Sequence, residues 1–567
     1  MSQSLFVSLV QPNPTVGDVT GNAEELDSQI RTAAREGADL VVTPELSLLG
    51  YPPRDLLHRR GLFRAQEAAL EALAPLTANG PTVIVGAAME TTAETGAPIR
   101  NAAVVLQDGK IATVYAKRLL PTYDVFDEHR YFQPGKVPET TTVDGVTVGL
   151  SVCEDAWQDA IVDNQQRHQS DPLADLAGAG AELIVTISAS PFSLGKPASR
   201  EHRFVNHAKR TGVPVVLANQ VGGNDDLLFD GNSLVATPTG EIAAELAGFA
   251  ADTAHLEVDI GSEYDATGSA GRGVAPGNPA DPVTQARDAL AVGLSDYFRK
   301  TGFEQAIIGM SGGIDSSVAT ALAVDALGAS NVYGVSLPSS ITSDESIEDA
   351  RAVAETLGIE FSVVPIGETA AALTEALESA GETVEGLTAE NIQARVRGDM
   401  LMAIANARDG LVLTPDNKSE AAVGYCTLYG DTVGALAPLG DCYKSLVYDL
   451  AAEYNEHPPV GDSPVIPARV IEKPPTAELS EDQTDADDLP PYDDLDPVLR
   501  AYIHTGKTAA DLRAEYSDTV VEQALARIAH SEFKRWQTPP PLRITDKAFD
   551  RGWLYPIAAS YEPVTER

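Results

Sequence analysis

Cysteine and long apolar runs are both scarce in this sequence. The 567 residues include three cysteines, Cys153, Cys426 and Cys442, and no two of them have C-x-x-C spacing. Neither a disulfide framework nor a zinc site is therefore predicted. No apolar run is long enough to span a bilayer, and the start, MSQSLFVSLVQPNP, lacks the charged segment and apolar core of a signal peptide. We therefore expect a cytoplasmic protein that does not insert into membranes.

Basic residues are few as well. The 40 lysines and arginines stand against 83 acidic residues, which gives a formal net charge of -43 at pH 7. Such a charge repels nucleic acid and anionic membrane surfaces, so neither is expected as a partner. The excess of acid leads to the hypothesis of an origin in a salt-rich cytoplasm, where screening reduces self-repulsion.

The length and the order of apolar segments predict two domains. A chain of 567 residues exceeds one ordinary hydrophobic core. Residues 1–262 alternate short apolar strands with helical segments, which is typical of an α/β or four-layer sandwich fold. Residues 263–284 are rich in glycine, proline and small polar residues and are predicted to be a linker. Residues 285–567 contain βαβ units, which predict a doubly wound parallel sheet with ligands at the carboxyl ends of its strands.

The stretch AIIGMSGGIDSS, residues 306–317, has the pattern of a phosphate-binding turn. Its apolar part predicts a buried strand, and Gly312 and Gly313 would turn the backbone with positive φ before a helix that begins near Asp315. Free N–H groups at the start of that helix attract an anion, and the Asp315 carboxylate could hold Mg²⁺. A plain strand-to-helix connection with a Ser or Asp cap is the alternative. The stretch matches neither a Walker nor a dinucleotide motif.

Three chemically reactive residues follow apolar strands in the first half of the chain. Glu45 follows DLVVTP, Lys117 follows IATVYA and Cys153 follows TVGLSV. A free thiol is mostly protonated at neutral pH, so a carboxylate that takes its proton and an ammonium that holds negative charge would make an amide-cleaving site. Taken singly, Cys153 could instead be a small core residue, and Glu45 and Lys117 could be loop charges.

The segments around these residues resemble a known superfamily. TPELSLLGYPP, YAKRLLPTYDVFDEHRYF and SVCEDAW are similar to the three signature segments of the nitrilase superfamily, especially its glutaminase branch. The resemblance implies an α-β-β-α sandwich in which Glu45, Lys117 and Cys153 hydrolyse glutamine through a thioester. Glu45 would accept the thiol proton, and Lys117 with the N–H after Cys153 would stabilise the oxyanion.

Further residues of that superfamily's site have counterparts here. The resemblance implies that Glu128 assists the base and that three residues contact bound glutamine: Tyr123, Ser190 and Lys196. The family usually has asparagine where this chain has Ser188, a change expected to alter a supporting hydrogen bond more than the chemistry.

The second half resembles a family of ligases. SGGIDSS is similar to the SGGxDS signature of ATP pyrophosphatases, which cleave ATP to AMP and pyrophosphate while adenylating a carboxylate or similar oxygen. With ENIQARVR, NKSE, TLYGD, KPPTAEL, LPPYDDLD and SEFKRWQTPP it resembles the glutamine-dependent NAD synthetases, and the match extends over essentially the whole chain. The resemblance implies a C–N ligase with three small-molecule substrates, ATP, deamido-NAD and glutamine, together with Mg²⁺ and a homo-oligomeric assembly.

The resemblance also assigns residues of the second half. Those implied to bind ATP are Gly309, Met310, Ser311, Gly312, Gly313, Ile314, Asp315, Ser316, Thr414, Pro415 and Lys444. Those implied to bind deamido-NAD are Asn391, Arg395, Glu420 and Lys534. Asp315 and Glu420 would be the Mg²⁺ ligands, while Lys418 and Lys444 would neutralise charge on departing pyrophosphate. Arg397 is predicted to lie off the helix face that carries Asn391 and Arg395, and an exposed basic helix face is the alternative for that segment.

Two segments leave questions open. The family commonly has Thr-Thr-Gly before NKSE, whereas this chain has Thr414, Pro415 and Asp416, so we expect altered ATP affinity or Mg²⁺ dependence. The acidic stretch 481–496 is interpreted as mostly solvated carboxylates, with a loop that closes over the adenylate as the alternative.

Three functions therefore remain for the chain: the synthetase, another amidotransferase that adenylates a different carboxylate or carbonyl, and a non-catalytic scaffold or glutamine sensor. The intact set of Glu45, Lys117 and Cys153 argues against the third.

Overall fold

The computed structural model describes residues 3–91, 95–159, 161–162, 165–261, 281–474, 488–561 and 563–565. The chain forms two compact units, Met1–Ala280 and Asp281–Arg567. Most of the predicted linker lies outside the described residues. Its last three residues belong to the first helix of the second unit, Pro282–Thr301, which is capped by the Asp281 side chain. Among the residues described, no helix is long and apolar enough to cross a membrane.

The first unit contains two six-stranded sheets. In spatial order, the first sheet consists of Asp252–Ile260, Gln3–Gln11, Leu40–Val42, Thr82–Glu90, Ile99–Gln107 and Lys110–Ala116. The second consists of Ile242–Glu245, Leu234–Ala236, Val215–Asn219, Leu183–Ser188, Val146–Val152 and Thr140–Val143. Two short hairpins pair Val221–Asn224 with Leu227–Asp230 and Ile161–Val162 with Gln165–Gln166.

Alternation of apolar side chains along the strands creates the layers of this unit. Leu40 and Val42 lie in the core between the two sheets, whereas Val41 lies on the opposite face, against helices. The helices Val19–Glu36 and Arg60–Leu73 cover the first sheet, and Pro172–Gly178 and Lys196–Thr211 cover the second. Short 3₁₀ helices are Arg54–His58, Ala74–Thr77, Glu128–Arg130 and Cys153–Ala156. The predicted α-β-β-α sandwich is confirmed.

Parallel pairing at the centre of each sheet brings several strand ends together. Leu40–Val42 runs parallel to both of its neighbours in the first sheet. In the second sheet, Leu183–Ser188 runs parallel to Val146–Val152 and to Val215–Asn219. Parallel strands have their carboxyl ends at one edge of a sheet, so Glu45, Cys153 and Ser190 each follow a strand at such an edge.

The second unit is built on a parallel four-stranded sheet. Its spatial order is Glu360–Val363, Val332–Ser336, Gln305–Gly309 and Gly410–Leu413. The helix Leu387–Arg408 packs on one face through Ile392, Val396 and Leu401. The other helices are Pro282–Thr301, Ile314–Leu327, Asp344–Leu357, Gly367–Ser379, Lys418–Val423, Lys444–Glu456, Ala468–Glu472, Tyr492–Thr505, Ala509–Glu515, Asp518–His530 and Glu532–Arg535, with 3₁₀ turns at Ala329–Asn331 and Pro563–Thr565. The predicted parallel sheet is confirmed.

Part of the acidic stretch 481–496 differs from its prediction. Residues 481–487 lie outside the described residues, whereas Asp496 lies in a helix and is buried. Its carboxylate accepts hydrogen bonds from the Ser419 hydroxyl (2.5 Å) and the Ser445 N–H (2.9 Å). The expectation of a solvated carboxylate is therefore wrong for Asp496, because these two donors replace water.

Candidate active sites

Cys153 stands at a strained turn directly after its strand. Its φ of 43° lies in the left-handed region, which is uncommon for a residue with a side chain and is often found at functional positions. The carboxylate of Asp155 supports this turn by accepting the N–H of Val152 at 3.0 Å. The same carboxylate accepts the N–H of Leu119 at 2.9 Å. Asp155 thus connects the Cys153 turn with the segment that follows Lys117.

Lys117 lies between two carboxylates. Its ammonium donates to Glu45 Oε1 and to Glu128 Oε1, each at 2.8 Å. The Tyr51 hydroxyl also donates to Glu128 Oε1, at 3.0 Å. All four side chains are buried, and a buried charge is tolerated only when it is paired and hydrogen-bonded. The structure therefore holds the predicted base, the predicted ammonium and the second glutamate in one connected group.

The electrostatics of this group keep the Cys153 thiol protonated in the resting protein. Burial and the charge of Glu45 raise the pKa of Cys153, while Lys117 and a hydrogen bond from Ser188 lower it by less. Burial also raises the pKa of Glu128 to about 7, against the opposing effect of Lys117. A thiol of this kind becomes a nucleophile only as a base removes its proton. Ser188, which stands where the family usually has asparagine, therefore lowers the pKa of the Cys153 thiol through a hydrogen bond.

Two further donors fix the Glu45 carboxylate. The side-chain amide of Asn101 donates to Oε1 at 2.6 Å, and the N–H of Ala189 donates to Oε2 at 3.0 Å. Sequence reasoning missed Asn101, which lies in the run NAAVVLQ of a buried strand. An asparagine among the buried apolar residues of a strand requires a polar partner, but the sequence does not show which residue that partner is.

The three residues predicted to contact glutamine lie beside the reactive segments. The Tyr123 hydroxyl donates to the Glu154 carboxylate at 3.0 Å, and the Lys196 ammonium lies 5.6 Å from the centre of the Trp157 ring. Glu154 and Trp157 belong to the turn that begins at Cys153, and Ser190 follows the residue whose N–H binds Glu45. Their contact with glutamine stays a prediction.

In the second unit, a cavity opens where the strand order reverses. The reversal lies between the first strand, Gln305–Gly309, and the fourth, Gly410–Leu413, and ligands of open α/β sheets bind outside the strand ends at such a point. The cavity measures about 270 Å³. Of the residues predicted to bind ATP, those lining it are Gly309, Met310, Ser311, Gly313, Ile314, Asp315, Ser316, Thr414, Pro415 and Lys444.

The two glycines of the turn differ in conformation. Gly312 has a φ of 82°, and a Cβ added there would lie 2.1 Å from the carbonyl oxygen of Ser346. Gly313 has a φ of -88° and caps the helix Ile314–Leu327. The prediction of positive φ is therefore confirmed for Gly312 and wrong for Gly313, because the chain has already turned into the helix.

We expect Gly312→Ala to lower the free energy of unfolding of the second unit by about 2–4 kcal/mol, because a strained φ and a backbone clash add. Denaturant unfolding with a probe in that unit measures the effect. Gly313→Ala is the matched control, since its added Cβ would meet only the Ser311 hydroxyl, at 3.3 Å. Equal destabilisation by both changes would contradict the assignment.

Lys444 connects the two carboxylates predicted to hold Mg²⁺. Its ammonium lies 2.6 Å from Asp315 Oδ2 and 3.1 Å from Glu420 Oε1. Burial lowers the pKa of Lys444, but these two carboxylates raise it by more, so its pKa lies above the ordinary lysine value. The Asn417 amide donates to the second Asp315 oxygen at 2.9 Å. Both carboxylates and a fixed positive charge thus meet at the cavity.

The two carboxylates predicted to hold Mg²⁺ fit a hard divalent cation in the type and number of their oxygen ligands. Mg²⁺ binds carboxylate oxygens and usually takes only one or two from the protein, with phosphate and water as its other ligands. Asp315 and Glu420 supply that number. Within the described ranges, no group of three or more His, Cys, Asp or Glu side chains is arranged to hold a metal. A site shared with substrate phosphates is the one that these residues suit.

Three residues predicted to bind deamido-NAD meet at one loop, residues 424–428. Asn391 accepts from the Thr427 hydroxyl at 2.8 Å, and Arg395 donates to the Leu428 carbonyl at 3.2 Å. The Lys534 ammonium donates to the carbonyl of Cys426 at 2.6 Å. These residues do not line the cavity, whereas Glu420 does.

Arg397 and Lys473 add positive charge to the cavity. Arg397 lies off the face of Asn391 and Arg395, as predicted, but that position points it at the cavity, where its Nε donates to the Leu337 carbonyl at 3.0 Å. Helical spacing predicted which face of the helix carries Arg397. It did not predict that this face borders the cavity, because that depends on where the strand Val332–Ser336 ends.

Lys418 differs from its prediction. Its ammonium is fully buried away from the cavity and donates to Asp441 Oδ1 at 2.6 Å and to the Thr545 hydroxyl at 2.7 Å. A buried ammonium requires its counter-charge nearby, and Asp441 supplies it. The proposed contact of Lys418 with pyrophosphate is therefore wrong, and Lys418 anchors the helix that carries Glu420.

Each of the two units matches a known protein family. Residues 6–266 match the family model for carbon-nitrogen hydrolases, and residues 287–538 match that for NAD synthase. The chain is 41% identical over 562 residues to the glutamine-dependent NAD(+) synthetase of Synechocystis sp., with 98% of this chain and 99% of that one covered. The enzyme of that name from Thermotoga maritima is 38% identical over 589 residues, with coverages of 98% and 99%.

The chain belongs to the glutamine-dependent NAD(+) synthetases. The solved structure of such a synthetase from Acinetobacter baumannii, in complex with ADP, has 35% identity and a TM-score of 0.76, with 98% of each chain covered. One from Cytophaga hutchinsonii, at 20% identity, shares the fold with a TM-score of 0.80 over 98% of each chain. The resemblance drawn from the motifs is confirmed.

Pro415 and Asp416, where the family commonly has threonine and glycine, change the lining and the charge of the cavity. Both residues line the cavity, together with Asp431. Burial and the charges of Asp431, Glu420 and Asp315 raise the pKa of Asp416 well above its usual value, and burial raises the pKa of Asp431 to about 6. Because a carboxyl with a raised pKa is neutral below that pKa and charged above it, Asp416 adds negative charge to this cavity only at the higher pH values.

We expect Asp416→Asn to lower the KM for ATP about threefold to tenfold at a high pH, where Asp416 is charged, and by less at a lower pH, because it removes a negative charge beside a polyanion. Steady-state kinetics at the two pH values measure the difference. Pro415→Thr is the control, since it adds a hydroxyl without changing the charge and should keep the pH dependence of the parent protein. A KM that Asp416→Asn leaves unchanged at both pH values would make the departure neutral.

Proposed function

We propose that the protein forms NAD from deamido-NAD, ATP and glutamine. Residues 1–262 hydrolyse glutamine to glutamate and ammonia. The second unit, which begins with the helix Pro282–Thr301, adenylates the nicotinate carboxylate of deamido-NAD and amidates it. The predicted linker, 263–284, is shortened by the three residues that belong to this helix. The products are NAD, AMP, pyrophosphate and glutamate.

One observation carries this proposal: two chemically complementary sites belong to one chain. The first unit holds a strained, protonated thiol together with the connected group of Glu45, Lys117 and Glu128. The second holds a cavity at a strand-order reversal with Lys444 between two carboxylates. A thiol site releases ammonia from an amide, and a nucleotide site that activates a carboxylate consumes it.

In the first reaction, Glu45 takes the Cys153 proton as the sulfur attacks the carboxamide carbon of glutamine. The carbonyl electron pair moves to oxygen, where Lys117 and the N–H after Cys153 stabilise the negative charge. The pair returns, the C–N bond breaks and the nitrogen leaves as ammonia with the proton that Glu45 held. Water then attacks the thioester carbon while Glu45 takes its proton. The C–S bond breaks, glutamate leaves, and the sulfur regains the proton from Glu45.

Glu128, Tyr123, Ser190 and Lys196 support this reaction. Glu128 shares the Lys117 ammonium with Glu45 and thereby holds it in place. The Tyr123–Glu154 pair and Lys196 offer groups of both charges to the α-amino and α-carboxylate groups of glutamine.

In the second reaction, a carboxylate oxygen of deamido-NAD attacks the α-phosphorus of ATP, and the bond to pyrophosphate breaks. Ammonia then attacks the acyl carbon, the C–O bond breaks with its electron pair going to AMP, and the nitrogen releases one proton to solvent to become the carboxamide of NAD. Lys444 stabilises negative charge on the phosphates, and the turn at Gly312 presents backbone N–H groups to them. Asn391, Arg395 and Lys534 with the loop 424–428, together with Glu420, bind deamido-NAD.

Asp315 and Glu420 are the side chains that would hold Mg²⁺. When bound, the ion would polarise the phosphates and offset their charge. The Lys444 ammonium pairs with both carboxylates and offsets the repulsion between them, so that both can face the cavity.

Some properties of the assembly stay proposals. We propose a homo-oligomer, as the family resemblance implies, and a cytoplasmic place of action, where ATP and deamido-NAD are supplied. The net charge of -43 supports adaptation to high salt.

The test is NAD formation by the purified full-length protein with ATP, Mg²⁺ and deamido-NAD, and with either glutamine or ammonium as the nitrogen source. We expect NAD, AMP and pyrophosphate in equal amounts from both sources, and glutamate in at least that amount with glutamine. No NAD from either source would overturn the proposal. Pyrophosphate release that requires a carboxylate other than deamido-NAD would favour a different amidotransferase.

A further inference from the structure

Asn101 occupies a position that the proposed reaction does not yet explain. It is buried, with 1% of its surface exposed, on the strand Ile99–Gln107. Its side-chain N–H lies 2.6 Å from Glu45 Oε1, and its backbone carbonyl accepts the N–H of Lys117 at 2.8 Å. One residue therefore contacts the base through its side chain and the lysine through its backbone.

Only one end of the Asn101 side-chain amide has a hydrogen-bond partner among the described residues. The nitrogen donates to Glu45, whereas the buried Oδ1 has no hydrogen-bond partner among the described residues. An unpartnered buried acceptor lowers stability. Packing alone would favour an apolar side chain of this size, so the N–H donor is the property that this position requires.

Three donors from three segments hold the Glu45 carboxylate. Asn101 and the Lys117 ammonium donate to Oε1, and the Ala189 N–H donates to Oε2. The Lys117 ammonium is shared with Glu128, and it must also turn toward the oxyanion during the reaction. Asn101 is the other side-chain donor to Glu45.

We infer that Asn101 is a positioning residue for glutamine hydrolysis, which keeps Glu45 in the orientation from which it takes the Cys153 proton. The inference rests on the proposed function of the first unit only. The Asn101 amide carries no charge, so it orients the Glu45 carboxylate without neutralising it. A lysine or arginine in its place would neutralise the carboxylate.

The test compares Asn101→Leu with Gln66→Leu. Gln66 is the matched control because it is also buried and bonds the same sheet, through both backbone groups of Ala88, the residue paired with Asn101 in the neighbouring strand. Gln66 contacts none of Glu45, Lys117 or Cys153. A loss of sheet stability alone should therefore appear in both variants.

For Asn101→Leu we expect the kcat of glutamate release to fall about tenfold to a hundredfold, as for other residues that orient a reacting group, with KM within about threefold. Alkylation of Cys153 by iodoacetamide should slow in parallel, because it needs the same proton transfer. Gln66→Leu should lower the melting temperature while keeping kcat per folded molecule. NAD formation from ammonium should be unchanged in both.

Retention of at least half of the parent kcat and alkylation rate by Asn101→Leu would overturn the inference, as would an equal loss of kcat per folded molecule in Gln66→Leu. Both readouts concern the first unit alone. If the parent protein releases glutamate but forms no NAD, the proposed synthesis fails while the effect of Asn101 can still be measured.

Discussion

Replacing Cys153 by alanine is expected to abolish NAD formation from glutamine and to leave NAD formation from ammonium intact. The thiol is the only group of the first site that can form the thioester, so the glutamine-driven rate should fall by at least about a thousandfold. The ammonium-driven rate should stay within about twofold, since ammonium supplies the nitrogen directly. Rates of NAD formation with each donor, on the same preparation, measure both.

Cys442→Ala is the matched control, because Cys442 is also a buried thiol but belongs to the second unit and takes no part in the proposed hydrolysis of glutamine. It should retain both rates. Substantial glutamine-driven NAD formation by Cys153→Ala would show that another group attacks the carboxamide.

Lys444→Met is expected to remove NAD formation from both nitrogen donors, by about a thousandfold, while glutamate release continues. The change deletes the positive charge that joins Asp315 to Glu420 and leaves two carboxylates facing the phosphates of ATP. Release of pyrophosphate and of glutamate, measured in one reaction mixture, separates the two effects.

Lys507→Met provides the control for this change. Lys507 forms an ion pair with Glu515 at 2.6 Å in the same unit, but the pair is exposed and should contribute little. Denaturant unfolding of both variants shows whether Lys444→Met still folds, and Lys444→Arg restores the charge if it does not. A folded Lys444→Met that releases pyrophosphate at the parent rate would remove Lys444 from the chemistry.

The sequence was most informative where chemistry and local pattern coincide. Glu45, Lys117 and Cys153 each follow an apolar strand. Glu45 and Lys117 follow strands of the first sheet and Cys153 follows a strand of the second, so strand ends indicated each position and the family resemblance predicted that the three meet. The turn at Gly312 was predictable from the local pattern, since a strand, two glycines and a helix specify it.

Contacts between distant segments were not predictable. The direction of Lys418 depends on Asp441 and Thr545, and the burial of Asp496 depends on Ser419 and Ser445. Nothing near these residues in the sequence indicates such partners. Asn101 was missed because an isolated amide in a strand matches no motif, and its function appears only when Glu45 is placed beside it.

The anchoring of Lys418 sets a lower limit on the length of an independently expressed second unit. The family match ends at residue 538, but Lys418 bonds Thr545, and the N–H groups of Ile544 and Thr545 bond Asp441 at 2.8 and 2.7 Å. A fragment cut at 538 would leave a buried ammonium and a buried carboxylate with fewer partners, although every residue that lines the cavity would still be present. The residues after 538 therefore support the helix that carries Glu420, and we expect a chain that ends at residue 538 to lose NAD formation although the lining of the cavity is intact.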